Sequence, residues 1–368
     1  MKSFEYGDKE VGTNEVFASV ANMVIGFGVL TLPRSTVEIT KSVDGWMSIV
    51  IGGITALVFT WIVVKLITRF PKQNLLDISS AIIGKPIGVF LTLLFAVYML
   101  MFVSYETRGV ASISRVYLFD RTPVEVISLV FLLVLVYGVV GPSLSLFRLN
   151  VVFLPIVILL VIVLIIMNIG FFEIRNLKPF FVTGWREVAL ASKESAFSFL
   201  GFEILLYYNV FIKKPKKVMK AALLGMLFPL LLYLLVFLFT IGVFGAEVTA
   251  STLYPTAELA KEVEVPGGFF ERFESIFFSI WVITLFNTAA MAFDVSLQAL
   301  ESVFKKAKRI TLTLWLSPPV FLIVMQPQNL WEITVFGEWI SYAGVCFAMV
   351  IPAFLLLIAL LRGVKGHA

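Results

Sequence analysis

Apolar runs about twenty residues long recur along the whole chain, and they leave it few ways to fold. A helix needs about 20 mostly apolar residues to cross the ~30 Å hydrocarbon layer of a bilayer. Ten such runs are readable, at 14–36, 46–68, 87–112, 124–140, 147–169, 188–212, 218–244, 269–297, 310–325 and 339–361. The composition fits: 60% of the residues are hydrophobic and 14% charged, against roughly 45–50% and about 25% in soluble domains. A soluble core of this size has no room for so much apolar surface, whereas lipid accepts it on the outside. The expectation is one polytopic, all-α transmembrane domain over 1–368, with its spans inside 14–361.

The charges between the runs orient them, because cytoplasmic loops near span ends are enriched in Lys and Arg. Arg69, Lys72 and Lys85 follow the second run, Lys213, Lys214, Lys216, Lys217 and Lys220 the sixth, and Lys305, Lys306, Lys308 and Arg309 the eighth. The tail carries Arg362 and Lys365. The alternate loops are acidic: Glu247, Glu258, Glu262 and Glu264 accompany Lys261, and Glu332 and Glu338 have no base beside them. This alternation predicts an even number of spans with both termini in the cytoplasm. The isoelectric point near 9.1 then reflects loops beside the lipid bilayer, and no nucleic acid partner is expected. Lys2 and Lys9 against Glu5, Asp8 and Glu10 make the opening residues slightly acidic, unlike a secretory signal. The first run is therefore expected to be a retained helix.

Chemistry that needs His or Cys clusters is excluded. The single histidine, His367, is the penultimate residue, and the single cysteine, Cys346, lies in the last run. No metal, cofactor or enzymatic activity is expected.

Two helices are expected to break at mid-membrane. Gly26 and Gly28 flank Phe27 about twelve residues into the first run, with Pro33 beyond. Glycine weakens a helix and permits positive φ, and proline removes a donor. The sixth run holds Leu200-Gly201-Phe202-Glu203 at matching depth. Matching breaks in two halves point to a transporter-type binding site, and five spans per half would make the halves an inverted repeat. Close helix packing through small residues is the simpler alternative at Gly26, and an unbroken membrane helix at Gly201. If the breaks form, the outer half of the first helix offers N–H groups to a carboxylate. The outer half of the sixth offers carbonyls to an ammonium. Together they describe a site for a small zwitterion such as an amino acid.

The string VANMVIGFGVLTLPR (Val20 to Arg34) resembles the first-helix signature of the B subunits of spore germination receptors, in the amino acid–polyamine–organocation superfamily. SYETR (Ser104 to Arg108), FLGFE (Phe199 to Glu203) and GGFFERFES (Gly267 to Ser275) extend the resemblance along the chain. It implies a leucine-transporter-type fold of five-plus-five inverted repeats with broken first and sixth helices. It also implies nutrient sensing in the inner membrane of a spore, beside a larger membrane A subunit and a lipoprotein C subunit. The family's ligand contacts fall here on Gly26, Phe102, Leu200 and either Asn287 or Thr288, with Phe27, Gly28 and Gly201 adjoining.

Ionisable groups at membrane depth are functional candidates by default. Glu203 follows the second break and is expected either to couple ligand to conformation or to cap freed N–H groups. Glu106 is expected towards the outer side of the third helix, pairing with a neighbour or lining a vestibule. Arg108 is expected to snorkel outward, and Asp294 to be a solvated end charge. The alternative to a receptor subunit is an autonomous permease for amino acids coupled to protons or sodium.

Overall fold

The computed structural model describes residues 10–263 and 273–366. Glu264, the start of the eighth apolar run and most of the GGFFERFES string lie outside the described residues. Helices α1 (Thr13–Ile25) and α2 (Gly28–Thr40) are the halves of the first span, and α3 (Gly45–Arg69) is the second. A short α4 (Leu75–Ile83) precedes α5 (Lys85–Tyr117), the third span. Helices α6 (Val124–Val140) and α7 (Ser143–Met167) complete the first half. The sixth span is α8 (Trp185–Ser198) followed, after a break, by α9 (Leu205–Tyr208) between two 3-10 turns. Then come α10 (Pro215–Ser251), a short α11 (Pro255–Lys261), α12 (Phe273–Val303) and α13 (Arg309–Val324). The tenth span runs from α14 (Leu330–Val345) through a π turn at Cys346–Val350 into α15 (Ile351–Leu361).

Six of these spans are individually long and apolar enough to cross a bilayer, and the bent pair α1–α2 makes a seventh. Helices α6 and α13 have 17 and 16 residues, which at 1.5 Å per residue reach about 25 Å, slightly less than the hydrocarbon thickness. The broken sixth span completes ten. Large apolar side chains such as Trp61, Leu133, Leu159, Leu231, Trp315 and Leu357 are exposed on the outside of the bundle. In lipid that face is satisfied, and every unbroken span pairs its backbone internally as helix.

The packing carries the inverted repeat. Exchanging each span for the one five places later should map contacts onto contacts. Helix α10 packs on the first span, and α3 packs on α8 of the sixth; these are exchange partners. Helix α7 packs on α1, and its counterpart α14 packs on α8. The α5–α12 contact maps onto itself. This is the leucine-transporter-type five-plus-five fold, and the first and sixth helices are both broken.

Hydrogen bonds gather the lysine-rich end. Val11 N–H donates to Phe211 O, Lys213 N–H to Val11 O, and Gly366 N–H to Arg69 O. Asn209 Nδ2 donates to Phe70 O and Gln73 O at 2.7 and 2.8 Å. The start of the described chain, the 69–74 turn, the lysine loop and the tail therefore share one end of the bundle. At the opposite end the buried Asp44 carboxylate accepts N–H bonds from Phe181, Val182 and Thr183 at 2.7, 2.7 and 2.9 Å. Burial pushes this carboxyl up, and the three N–H donors outweigh that and hold it below its ordinary range.

Candidate ligand-binding site

The two breaks have different causes. Helices α1 and α2 are bent by 49°. Gly26 between them has φ −32° and ψ −121°, so positive φ is not what requires glycine there. Space is tight instead: a Cβ would lie 3.1 Å from Thr288 Cγ2 and Oγ1, and 3.4 Å from Glu106 Oε1, so a neighbour would have to give by a few tenths of an ångström. In the sixth span Gly201 has φ +130°, a conformation side chains disfavour, and a Cβ there would lie 2.7 Å from Met23 Cγ. The first helix and the sixth thus press together at their breaks.

Buried side chains hold the freed backbone. Glu203 is fully buried; it accepts the Tyr98 hydroxyl at 2.6 Å and the Gly201 N–H at 2.8 Å. Tyr233, from α10, donates its hydroxyl to Val24 O at 2.6 Å and lies 3.3 Å from Ser198 O, touching the carbonyl ends of both α1 and α8. Thr288 donates to Asn22 O at 3.1 Å. Such partners satisfy groups that would cost several kcal/mol if left bare in lipid.

A cavity of about 760 Å³ opens beside the first break. Its walls come from both halves of the first span, α5, α8, α14 and the segment before α11. Gly26, Phe27, Gly28, Phe102, Glu106 and Leu200 line it; Gly201, Glu203, Asn287 and Thr288 do not. Asn287 is buried, and its Nδ2 has no hydrogen-bond partner among the described residues. Glu106 was expected to pair with a neighbour or line a vestibule, and it lines this cavity. Helix α5 is 33 residues long, and Glu106 sits against the Gly26 break deep in the bundle.

Tyr98, Tyr105 and Tyr254 also line the cavity and escape the sequence reading. Tyr98, Phe102, Tyr105 and Gly109 lie on one α5 stripe. The stripe has helical spacing, but α5 is apolar on nearly every side, so no contrast marks it. Phe27 meets Tyr105 and Tyr254 edge-on, with centroids 5.8 and 6.0 Å away.

The comparisons with known proteins fall on this geometry. The family model described as Spore germination protein matches residues 10–333. The chain belongs to that family. Spore germination protein GerLB of Bacillus cereus is 36% identical, over 100% of this chain and 98% of its own. Spore germination protein YndE of Bacillus subtilis (strain 168) is 30% identical, over 95% and 96%. Among solved structures, Mhp1, a nucleobase-cation-symport-1 family transporter in a closed conformation with bromovinylhydantoin bound, superposes with a TM-score of 0.65. It is 16% identical, covering 96% of this chain and 79% of that one. MhsT in complex with L-phenylalanine gives 0.63 at 14% identity, over 95% and 98%. At these identities the two structures bear on the fold alone.

Two charges of this germination protein differ from expectation. Arg108 is buried, so it does not snorkel outward. Asp294 is fully buried at the lysine-rich end, where it ion-pairs with Arg309 and accepts Ser143 Oγ and Gln298 Nε2, each at 2.7 Å. A charge there is tolerable because it is paired and hydrogen-bonded. The sequence distance to Arg309 in the next helix conceals that partner.

Proposed function

We propose that this protein is the nutrient-sensing membrane subunit of a germination receptor, and that it binds a small nutrient, an amino acid in the first instance, in the mid-membrane cavity. The observation that carries the reading is that the cavity reaches both breaks. Its wall includes Gly26 and Phe27 at the first, and the wall residue Tyr98 is hydrogen-bonded to Glu203 at the second. A ligand resting there touches the parts of the bundle whose backbone is least constrained. It shifts the conformational balance by as much as it binds one arrangement better than the other, and no transport is needed. Gly26, Phe102 and Leu200 are the proposed wall contacts, with Asn287 and Thr288 acting from behind. Family membership supports the role in germination, and the fold shared with MhsT supports a transporter-type architecture around the cavity.

In this reading the chain is one polytopic domain in the inner membrane of the spore, with both termini in the cytoplasm. It works with a membrane A subunit and a lipoprotein C subunit. The test is genetic and biochemical together. Deleting the chain should abolish the spores' response to one nutrient class, and vesicles holding it alone should bind that nutrient with little accumulation. Concentrative uptake by the chain alone would establish an autonomous permease instead.

A further inference from the structure

Glu106 lines the cavity, is 3% exposed, and its Oε2 has no hydrogen-bond partner among the described residues. A carboxyl group at this depth with one oxygen unpartnered is costly, so a cation that pairs with it gains more than it would in water. Among the described residues no Lys or Arg is hydrogen-bonded to that oxygen. Arg34 is the only Lys or Arg among the described lining residues; it stands at the mouth with its Nε 3.8 Å from Glu38 Oε2. Glu38, Glu194 and Glu338 add three further carboxylates to the wall.

Several of the helix-end groups that a ligand's charges would seek are already engaged. Val24 O at the end of α1 already accepts Tyr233, which also lies near Ser198 O at the end of α8. Asn22 O accepts Thr288. The backbone N–H of Phe27, which a ligand carboxylate would seek at the start of α2, faces the Glu106 carboxylate. A second carboxylate there meets like charge. The rings of Phe27, Tyr105 and Tyr254, in contact with one another, line the same cavity as Glu106 and suit an ammonium or an apolar body.

The geometry points to a ligand that presents a cationic amino group to Glu106 and does not need a carboxylate. It is a primary amine on an apolar or aromatic body, of which an amino acid is one form. This rests on the cavity being the nutrient site.

The test uses the purified full chain and thermal stabilisation as the binding readout. Three series are compared: phenylalanine, phenethylamine and 3-phenylpropanoic acid; leucine, 3-methylbutylamine and 4-methylpentanoic acid; alanine, ethylamine and propanoic acid. In any series that binds, the amine should match or exceed its parent amino acid, and the acid should be at least about tenfold weaker. Glu106→Gln should weaken amine binding roughly 10- to 150-fold, the value of a hydrogen bond to a charged group. If that variant does not accumulate, the ranking in the unaltered chain decides. Binding by acids in preference to amines, or by amino acids alone, overturns this inference and leaves the nutrient site standing. Stabilisation by sodium chloride over potassium chloride that needs Glu106 assigns the carboxylate to an inorganic ion and also overturns it. Binding by no compound overturns both.

Discussion

Replacing Tyr98 by Phe removes one hydroxyl and little else. The ring keeps its stack on Phe347, with centroids 5.6 Å apart, and its edge contact with Phe95 at 6.0 Å. What is lost is the 2.6 Å hydrogen bond to Glu203, which keeps the hydrogen bond from the Gly201 N–H. A hydrogen bond to a charged acceptor contributes about 1.5–3 kcal/mol. Tyr98→Phe and Glu203→Gln should each destabilise the detergent-purified protein, and the double variant should be barely worse than the poorer single. That is a coupling energy of about 1.5–3 kcal/mol in a double-mutant cycle. If ligand binding alters this bond, the half-maximal nutrient concentration for germination should move, at most roughly 10- to 150-fold. Abundance, melting temperature and dose–response are measured on the same four strains. Additivity of the two substitutions within about 0.5 kcal/mol, with an unmoved dose–response, would refute the claim that Tyr98 links the cavity to the second break.

Gly201→Ala combines a φ of +130° with a Cβ 2.7 Å from Met23 Cγ; strain of about 1–3 kcal/mol should lower the melting temperature, whereas an unchanged melt would mean the second break does not need glycine. Gly26→Ala should cost about 1–3 kcal/mol by overpacking, and Thr288→Ser, which removes the methyl 3.1 Å from the new Cβ, should recover part of it; a double variant no more stable than Gly26→Ala would place the clash elsewhere. Asp44 has a lowered pKa in the folded state, so its contribution to stability is present above the unfolded value near 3.9 and is lost as pH falls through the folded value. The melting-temperature gap between the unaltered protein and Asp44→Ala should therefore be widest at neutral pH and close in acid, and a gap independent of pH would remove the carboxylate from the clasp. In a Cys346→Ala background, Lys216→Cys should be labelled only from the cytoplasmic side, and labelling from outside would invert the assigned orientation.

The spans were legible because a membrane helix announces itself by length and hydrophobicity, and those are one-dimensional properties. The extra helices α4 and α11 were not, because each is shorter than a span and lies in a stretch taken as a loop. Helix α4 still carries a local signal, the capping box of Asn74 and Asp77. The break glycines were legible as residue types, but their reasons were not. Gly26 is crowded by Thr288, far along the chain, while Gly201 is the one at positive φ. Only a contact and a dihedral distinguish them. The same limit explains the polar residues. Thr288 and Asn287 are adjacent on α12, yet one bonds to the end of α1 and the other is buried with an unpartnered amide nitrogen. Asp294 near the end of its run looked solvated until Arg309 from the following helix arrived beside it. Glu106 is the sharpest case. Counting residues put it towards the outer side of the third helix without fixing what it faces, and α5 is a third longer than α3. The extra length carries its carboxylate to the first break, beside the N–H groups that a ligand carboxylate was expected to use. The zwitterion site inferred from helix ends alone leaves out the carboxyl group that the protein places there itself, and the proposed amine site takes that group as its anchor.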